Sequence, residues 1–197
     1  MDAERLERQM NFIVEIDKVK QVLRQTSVIA GDRYENDAEH SWHLAVMAIL
    51  LAEYAEGASI DIFKVLRMVL VHDLVEIDAG DTYCYDEDAA LDKLERETRA
   101  ADRIFALLPD DQGRELRALW DEFEEAATPE ARFANALDRL QPLLLNYHTN
   151  GQSWQKHGVT SDRVVKRARP VADAIPGVWD YAARLIEDAV DKGILEK

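Results

Sequence analysis

Apolar residues recur at three- and four-residue spacing along nearly the whole chain, and the pattern breaks where helix-stopping residues stand. The reading is all-α, a single compact multi-helix domain over residues 1–197. A first helix is predicted over about residues 2–25. A second begins near Asn36 and Asp37, where Asn36 and Glu39 have the spacing of a capping box, and it ends at Gly57. Asp61 opens a third, which runs through the apolar stretch Val65 to Val71 and gives out before Gly80; Asp78 to Asp86 reads as loop. A charged helix from about Glu87 to Leu108 is stopped by Pro109, and another follows to about Ala126. Thr128 and Pro129 suit the N-cap and first turn of the next, which continues to Tyr147. Asn150 and Gly151 mark a turn. Two C-terminal helices then occupy about residues 160–192, the first interrupted by Pro170 and the second starting after Pro176 and Gly177. There is no internal repeat and no low-complexity linker.

Composition adds limits to this picture. With 47% apolar and 32% charged residues, the 197-residue chain has the balance of a globular protein and enough material for one sizeable core. The segment Met1 to Gln9 is charged, and no apolar run is long enough to span a bilayer, so a cytosolic address with no membrane partner is expected. The one cysteine, Cys84, has no second thiol to pair with, which fits a reducing compartment. A net charge of −15 argues against long DNA or RNA, because such binding draws on Lys and Arg contacts to phosphates. A small anion is compatible with it, since a metal and one or two arginines outweigh a diffuse surface charge at close range.

The candidate chemistry sits on the second and third helices. Joined by a few residues around Ser59, they are expected to be antiparallel neighbours. His40 lies roughly 18 residues before that turn and His72 roughly 13 after it, so at ~1.5 Å per residue their levels differ by ~7 Å. Asp73 adjoins His72, and Glu76 is one turn beyond. Burying His72, Asp73 and Glu76 within the otherwise apolar stretch Val69 to Ile77 is costly without a counter-charge, which a cation would supply. The plain alternative is that His72 and Asp73 form a solvated helix end.

Three ordered segments bear on that choice: Glu39-His40, His72-Asp73-Leu74-Val75-Glu76 and Ala136-Leu137-Asp138-Arg139-Leu140-Gln141. They resemble the signature of the HD-domain metal-dependent phosphohydrolases. Ala38-Glu39-His40-Ser41 and Gly80-Asp81-Thr82 are similar to the 5′-deoxynucleotidase branch of that superfamily, and the likeness extends from about Arg24 to Tyr147. The resemblance implies that His40, His72, Asp73 and Asp138 ligate one divalent metal ion. Mixed imidazole and carboxylate ligands suit Mn, Co, Fe, Ni or Zn, with Mg also open. Asp138 has further support, because Pro142 cannot donate to its carbonyl and so loosens the helix there; an exposed Asp beside Arg139 is the other reading.

The function so implied is hydrolysis of the phosphate monoester of a (deoxy)nucleoside 5′-monophosphate, a small-molecule nucleotide substrate. Glu76 is the candidate to orient or deprotonate water or to pass a proton to the leaving alcohol. Asp81 is expected to face the sugar, catalytic or substrate-binding, against a turn-forming role. Arg24, closing the first helix, matches the family's phosphate-contacting arginine, and Arg33 is a second phosphate candidate against a solvated surface role. Gln25, Thr26 and Ser27 follow Arg24 where a tryptophan is common in the branch. His43, one turn after His40, reads as a core histidine bonded to backbone or a pocket residue; His148 and His157 have no companion at ligand spacing. Rival readings are a triphosphate or cyclic nucleotide as substrate, or a metal-holding sensor that binds a nucleotide without turnover. A homodimer is possible through Trp179, Tyr181 and Leu185, which an internal core explains equally.

Overall fold

The first helix, α1 (Ala3–Glu15), begins where the Asp2 side chain accepts from the Arg5 backbone N–H, and it turns Phe12 into the interior. It tightens into a 3₁₀ turn, Ile16–Gln21, after which Val22 is extended. Strand β1 (Leu23–Ser27) then pairs antiparallel with β2 (Tyr34–Asn36), Leu23 opposite Asn36 and Ser27 opposite Tyr34. The expected helix over residues 2–25 is therefore too long, and Arg24 stands in a strand. The spacing of Ile16 and Val19 fits a helix, but the backbone partners that win belong to a strand ten residues on, which periodicity does not register. Between the two paired positions β1 advances further than β2, a bulge of the kind that re-aims a side chain. The side chain of Arg24 is only 14% exposed.

The computed structural model describes residues 2–56, 59–86, 88 and 91–197. The expected helix end at Gly57 and helix start at Glu87 lie outside the described residues. Helix α2 (Asp37–Leu51) opens with the capping box anticipated from Asn36 and Glu39: each side chain takes the other's backbone N–H, at 3.0 and 3.2 Å. A 3₁₀ turn, Ala52–Tyr54, follows it. Asp61 caps α3 (Ile62–Val71), which passes into a 3₁₀ turn, His72–Val75, and a last helical turn, α4 (Glu76–Ala79), stopped at Gly80 with φ of 74°.

Helices α5 (Lys93–Phe105) and α6 (Asp110–Glu125) cover that turn from outside. Val71, Leu74 and Val75 bury themselves against Ala101, Ile104 and Trp120, which fixes the segment that carries His72 and Asp73. Thr128 caps α7 (Pro129–His148), which runs on through Pro142 and packs against both α2 and α3. Leu44, Val65, Met68, Val69, Phe133 and Leu137 interlock there with no exposed surface.

The C-terminal region has more elements than the two expected helices: α8 (Gln152–Lys156), α9 (Ser161–Arg167), α10 (Arg169–Ala174) and α11 (Pro176–Asp191). Pro176 is the first residue of α11, where its missing N–H costs nothing. Asn150 and Gly151 both have positive φ, and a Cβ at Gly151 would lie 2.0 Å from the Ile194 carbonyl oxygen, so only glycine fits. No helix among the described residues is long and apolar enough to cross a membrane.

Candidate metal centre

His40 lies in the first turns of α2 and is wholly buried. Two residues one turn apart on α7 hold its ring. Nδ1 is 3.1 Å from Gln141 Oε1, and Nε2 is 2.9 Å from Asp138 Oδ1. The orientation of Gln141 is set by Glu35 on β2: a carboxylate only accepts, so the amide Nε2 donates to Glu35 Oε1 at 2.6 Å and turns its oxygen to His40. His40 Nδ1 must then donate to that oxygen, and in the neutral ring Nε2 presents a lone pair to the carboxylate of Asp138.

His72 arrives at the same point from the end of α3. Its Nδ1 donates to the Val69 carbonyl at 3.0 Å, a bond within its own turn that fixes the tautomer and leaves Nε2 as the lone pair. That Nε2 is buried without a hydrogen-bond partner, 3.1 Å from Asp73 Oδ1 and 4.0 Å from Asp138 Oδ1. Lone pairs at such distances repel unless a cation lies among them. The 3₁₀ turn brings Asp73 alongside His72, and its other oxygen is 3.9 Å from His40 Nε2. The ligand atoms of His40, His72 and Asp73 lie within 4.8 Å of one another, with Asp138 closing the set. Two imidazole lone pairs and two carboxylates facing inward, one nitrogen orphaned, fit a divalent metal ion.

The charges are arranged to match. Arg24, turned in from β1, places Nη1 2.7 Å from Asp73, 3.0 Å from Asp37 and 3.8 Å from Asp81, with Glu35 at 3.7 Å from Nε and Asp138 at 3.9 Å from Nη2. Burial works against its charge, yet these carboxylates hold its pKa well above the usual value. Burial likewise raises Asp138, but Arg139 and His40 hold it well below the usual carboxylate range. Asp73 is held low, against burial, by His72, Arg24 and His40. Burial depresses His72, which keeps it neutral. His40 goes the other way: burial and Arg24 lower it, but Asp138, Glu35 and Asp73 lift it to about 9, so without a metal ion it keeps a second proton facing Asp138.

A family model described as an HD domain matches residues 16–179. The chain belongs to the HD domain family. Among proteins similar to it is the human 5′-deoxynucleotidase HDDC2, 31% identical over 136 residues, a match that covers 68% of this chain and 65% of the relative. This chain thus spans just under two thirds of the curated relative's length. A crystal structure of a "predicted metal-dependent phosphohydrolase" from Magnetospirillum magnetotacticum is 53% identical, with a TM-score of 0.93 over 98% of this chain and 96% of that one. The PH0347 protein of Pyrococcus horikoshii shares the fold at 23% identity, with a TM-score of 0.64 over 89% and 99% of the two chains.

In this HD domain the other expected site residues divide into two groups. Glu76 is buried, with one carboxylate oxygen unpartnered, and burial, with Asp73, Glu97 and Asp81 nearby, pushes its pKa up to about 10. Asp81, raised by burial, lies past Gly80. Arg24, Glu76, Asp81, Asp73, His72 and Asp138 all line one inner chamber of about 150 Å³. Beyond it opens a wider groove of about 840 Å³ that shares Gln25, Asp81, Thr82, Tyr83 and Tyr85 with the chamber. Arg33 stands apart, more than half exposed and paired with Glu39 at 2.7 Å. His43 bonds the Gln141 side chain, 3.2 Å from Nδ1, where backbone was the favoured partner. Trp179 and Leu185 are half-buried against the core, so of the expected dimer face only Tyr181 is exposed.

Glu35, Asp37 and Gln141 escaped the sequence reading as functional groups. Gln141 had a signal: it lies three residues after Asp138, so both reach the same ring from one helix face. Asp37 is wholly buried, and burial raises its pKa to about 8 despite Arg24. Nothing in its position at a helix start announces this.

Proposed function

We propose that this chain is a metal-dependent phosphomonoesterase acting on (deoxy)nucleoside 5′-monophosphates, releasing nucleoside and inorganic phosphate. The observation that carries this reading is the unpartnered His72 Nε2 facing two carboxylates at the inner end of a polar chamber. The human relative named as a 5′-deoxynucleotidase and the bacterial relative titled as a phosphohydrolase support the substrate class. His40, His72, Asp73 and Asp138 would hold one divalent ion, of Mn, Co, Fe, Ni, Zn or Mg. When bound, it would polarise the phosphate ester and lower the pKa of water.

The chain's own residues do the remaining work. Arg24 keeps Asp73, Asp37 and Asp81 in place and offsets the charge of Asp73, so an anionic substrate meets less repulsion. Glu76 is protonated at neutral pH and supplies a proton to the leaving 5′-oxygen. Asp81, shared between chamber and groove, faces the sugar. The chamber suits a phosphate, and the groove has the volume typical of small-ligand sites for the nucleoside. A homodimer and a cytosolic setting belong to the same reading; exposed Trp42, Ile49, Phe63 and Leu70 on α2 and α3 support the first, and the lone Cys84 the second.

Phosphate release should be measured across a panel of 5′-nucleotides and a 3′-nucleotide, with each candidate metal added to chelator-treated protein. Metal-dependent release from 5′-monophosphates is expected. Release only from triphosphates or cyclic nucleotides would move the substrate, and nucleotide binding with no release from any member would make the chain a sensor.

A further inference from the structure

The cationic groups in the inner chamber are not equally occupied. Arg24 is surrounded by five carboxyl groups and has little charge left to offer a ligand. Lys93 is tied to Glu97 at 3.1 Å. Arg139 pairs with Oδ2 of Asp138 and reaches Asn135 Oδ1 at 3.4 Å, while the other oxygen of Asp138 faces His40. Arg167, the last residue of α9, lines the same chamber, half-buried, with no hydrogen-bond or ion-pair partner among the described residues. Glu124 also lines the chamber but bonds neither arginine.

Arg139 and Arg167 line the same small chamber, so an anion between them would relieve the repulsion of like charges. Asp138 is the one carboxylate that bonds Arg139, and as a metal ligand it would give much of its charge to the ion. Arg167 then has no bonded carboxylate in the chamber, and Arg139 shares its own with the ion. A guanidinium fork matches phosphate oxygens in geometry as well as sign.

We infer that Arg167, with Arg139 beside it, forms an anion subsite that receives the substrate's phosphoryl oxygens next to the metal ligand Asp138. This rests on the phosphohydrolase reading for its biological meaning, but the binding itself is separable from turnover. It also assigns the direct phosphate contact to α7 and α9, with Arg24 acting chiefly on the carboxylates.

The test is titration of inorganic phosphate into manganese-loaded protein by calorimetry, for the wild type, Arg167→Ala, Arg167→Lys and Arg169→Ala. Arg169 is an exposed control of the same charge, paired with Asp173. Arg167→Ala is expected to weaken phosphate binding at least tenfold with metal stoichiometry unchanged. Arg167→Lys should recover part of the loss, and Arg169→Ala should bind as the wild type does. Undiminished phosphate affinity in Arg167→Ala with a full metal site would overturn the subsite, as would a wild type that binds no phosphate. Arg167-dependent phosphate binding in a protein that hydrolyses no ester would leave the subsite standing and sink the phosphohydrolase reading instead.

Discussion

Replacing Gln141 with leucine isolates what its bond to His40 would do for metal binding. Leucine is close to glutamine in volume and as good a helix former, so α7 should persist. Three contacts disappear: the bond from His40 Nδ1 at 3.1 Å, the bond to Glu35 at 2.6 Å and the contact with His43 at 3.2 Å. His40 and Glu35 are 0% and 3% exposed, so water does not simply replace the amide. Each stranded polar group costs ~1–3 kcal/mol, a loss of about 2–6 kcal/mol for His40 and Glu35 together. Loss of the group that holds a ligating histidine by its other ring nitrogen lowers metal affinity about 10–100-fold. At a free metal concentration that is about 100 times the wild-type Kd, the wild type gains about 2.7 kcal/mol from the ion; a variant binding about 100-fold more weakly gains about 0.4. For a domain of this size each kcal/mol moves Tm by about 2–4 °C, so the metal-induced rise should shrink from roughly 5–11 °C to about 1–2 °C. Thermal unfolding with and without metal, beside calorimetric titration of the metal, measures both quantities. An equal metal-induced rise in the two proteins, however unstable the variant, would refute the claim that Gln141 sets the tautomer of His40 for ligation.

Three further expectations follow from the same geometry. Glu76 has a folded-state pKa near 10 against an ordinary 4.5, so the folded protein keeps a proton that the unfolded chain releases, and stability falls as pH rises through that window. In chelator, Glu76→Gln should therefore raise Tm at pH 8.5 more than at pH 5.5, and with metal restored it should abolish turnover; an equal shift at both pH values would contradict the buried, protonated carboxyl. Asp138→Asn should lose metal binding and be destabilised by about 3–5 kcal/mol, because Arg139 and protonated His40 both lose their counter-charge; a variant that still takes up metal at full stoichiometry would remove Asp138 from the ligand set. In long-range nitrogen-proton NMR of the metal-free protein, His72 should show its proton on Nδ1, and an Nε2-protonated ring would overturn the orphaned lone pair.

Much of this arrangement was legible because local signals agreed with the fold. Asn36 with Glu39, Asp61, and Thr128 with Pro129 start helices where their side chains can take orphan N–H groups, and those starts set the heights of His40, His72 and Asp138. Rise per residue then predicted the meeting of His40 with His72, whose rings lie 5.6 Å apart. Arg24 was misplaced because its strand is stabilised by Tyr34–Asn36 rather than by its own neighbours. The tightening of α3 at His72 was equally hidden, since it follows from packing of Leu74 and Val75 against α5 and α6. Glu35 stayed invisible for a related reason: its role depends on Gln141, 106 positions away. Local chemistry writes caps and periods into a sequence, whereas a hydrogen bond between distant side chains leaves no spacing to read.

The charge balance explains why such a cluster is tolerated inside a core. Asp73 and Asp138 are held low by the cationic groups around them, and Asp37, lifted to about 8 by burial, keeps its proton at neutral pH. Beside these carboxyl groups stand Arg24, Arg139 and the second proton of His40, which hold the cluster together in the metal-free protein. A divalent ion bound by His40 would displace that proton and take over its charge. The proton thus serves as a partial substitute that lets the cluster fold before metal is present, and release of protons on metal binding is the general consequence of such an exchange. Arg24 has the complementary task. Without it the carboxylates around Asp73 would repel each other enough to raise their pKa values and blunt them as ligands, so the arginine keeps the site ionised and geometrically ready while standing outside the ligand set.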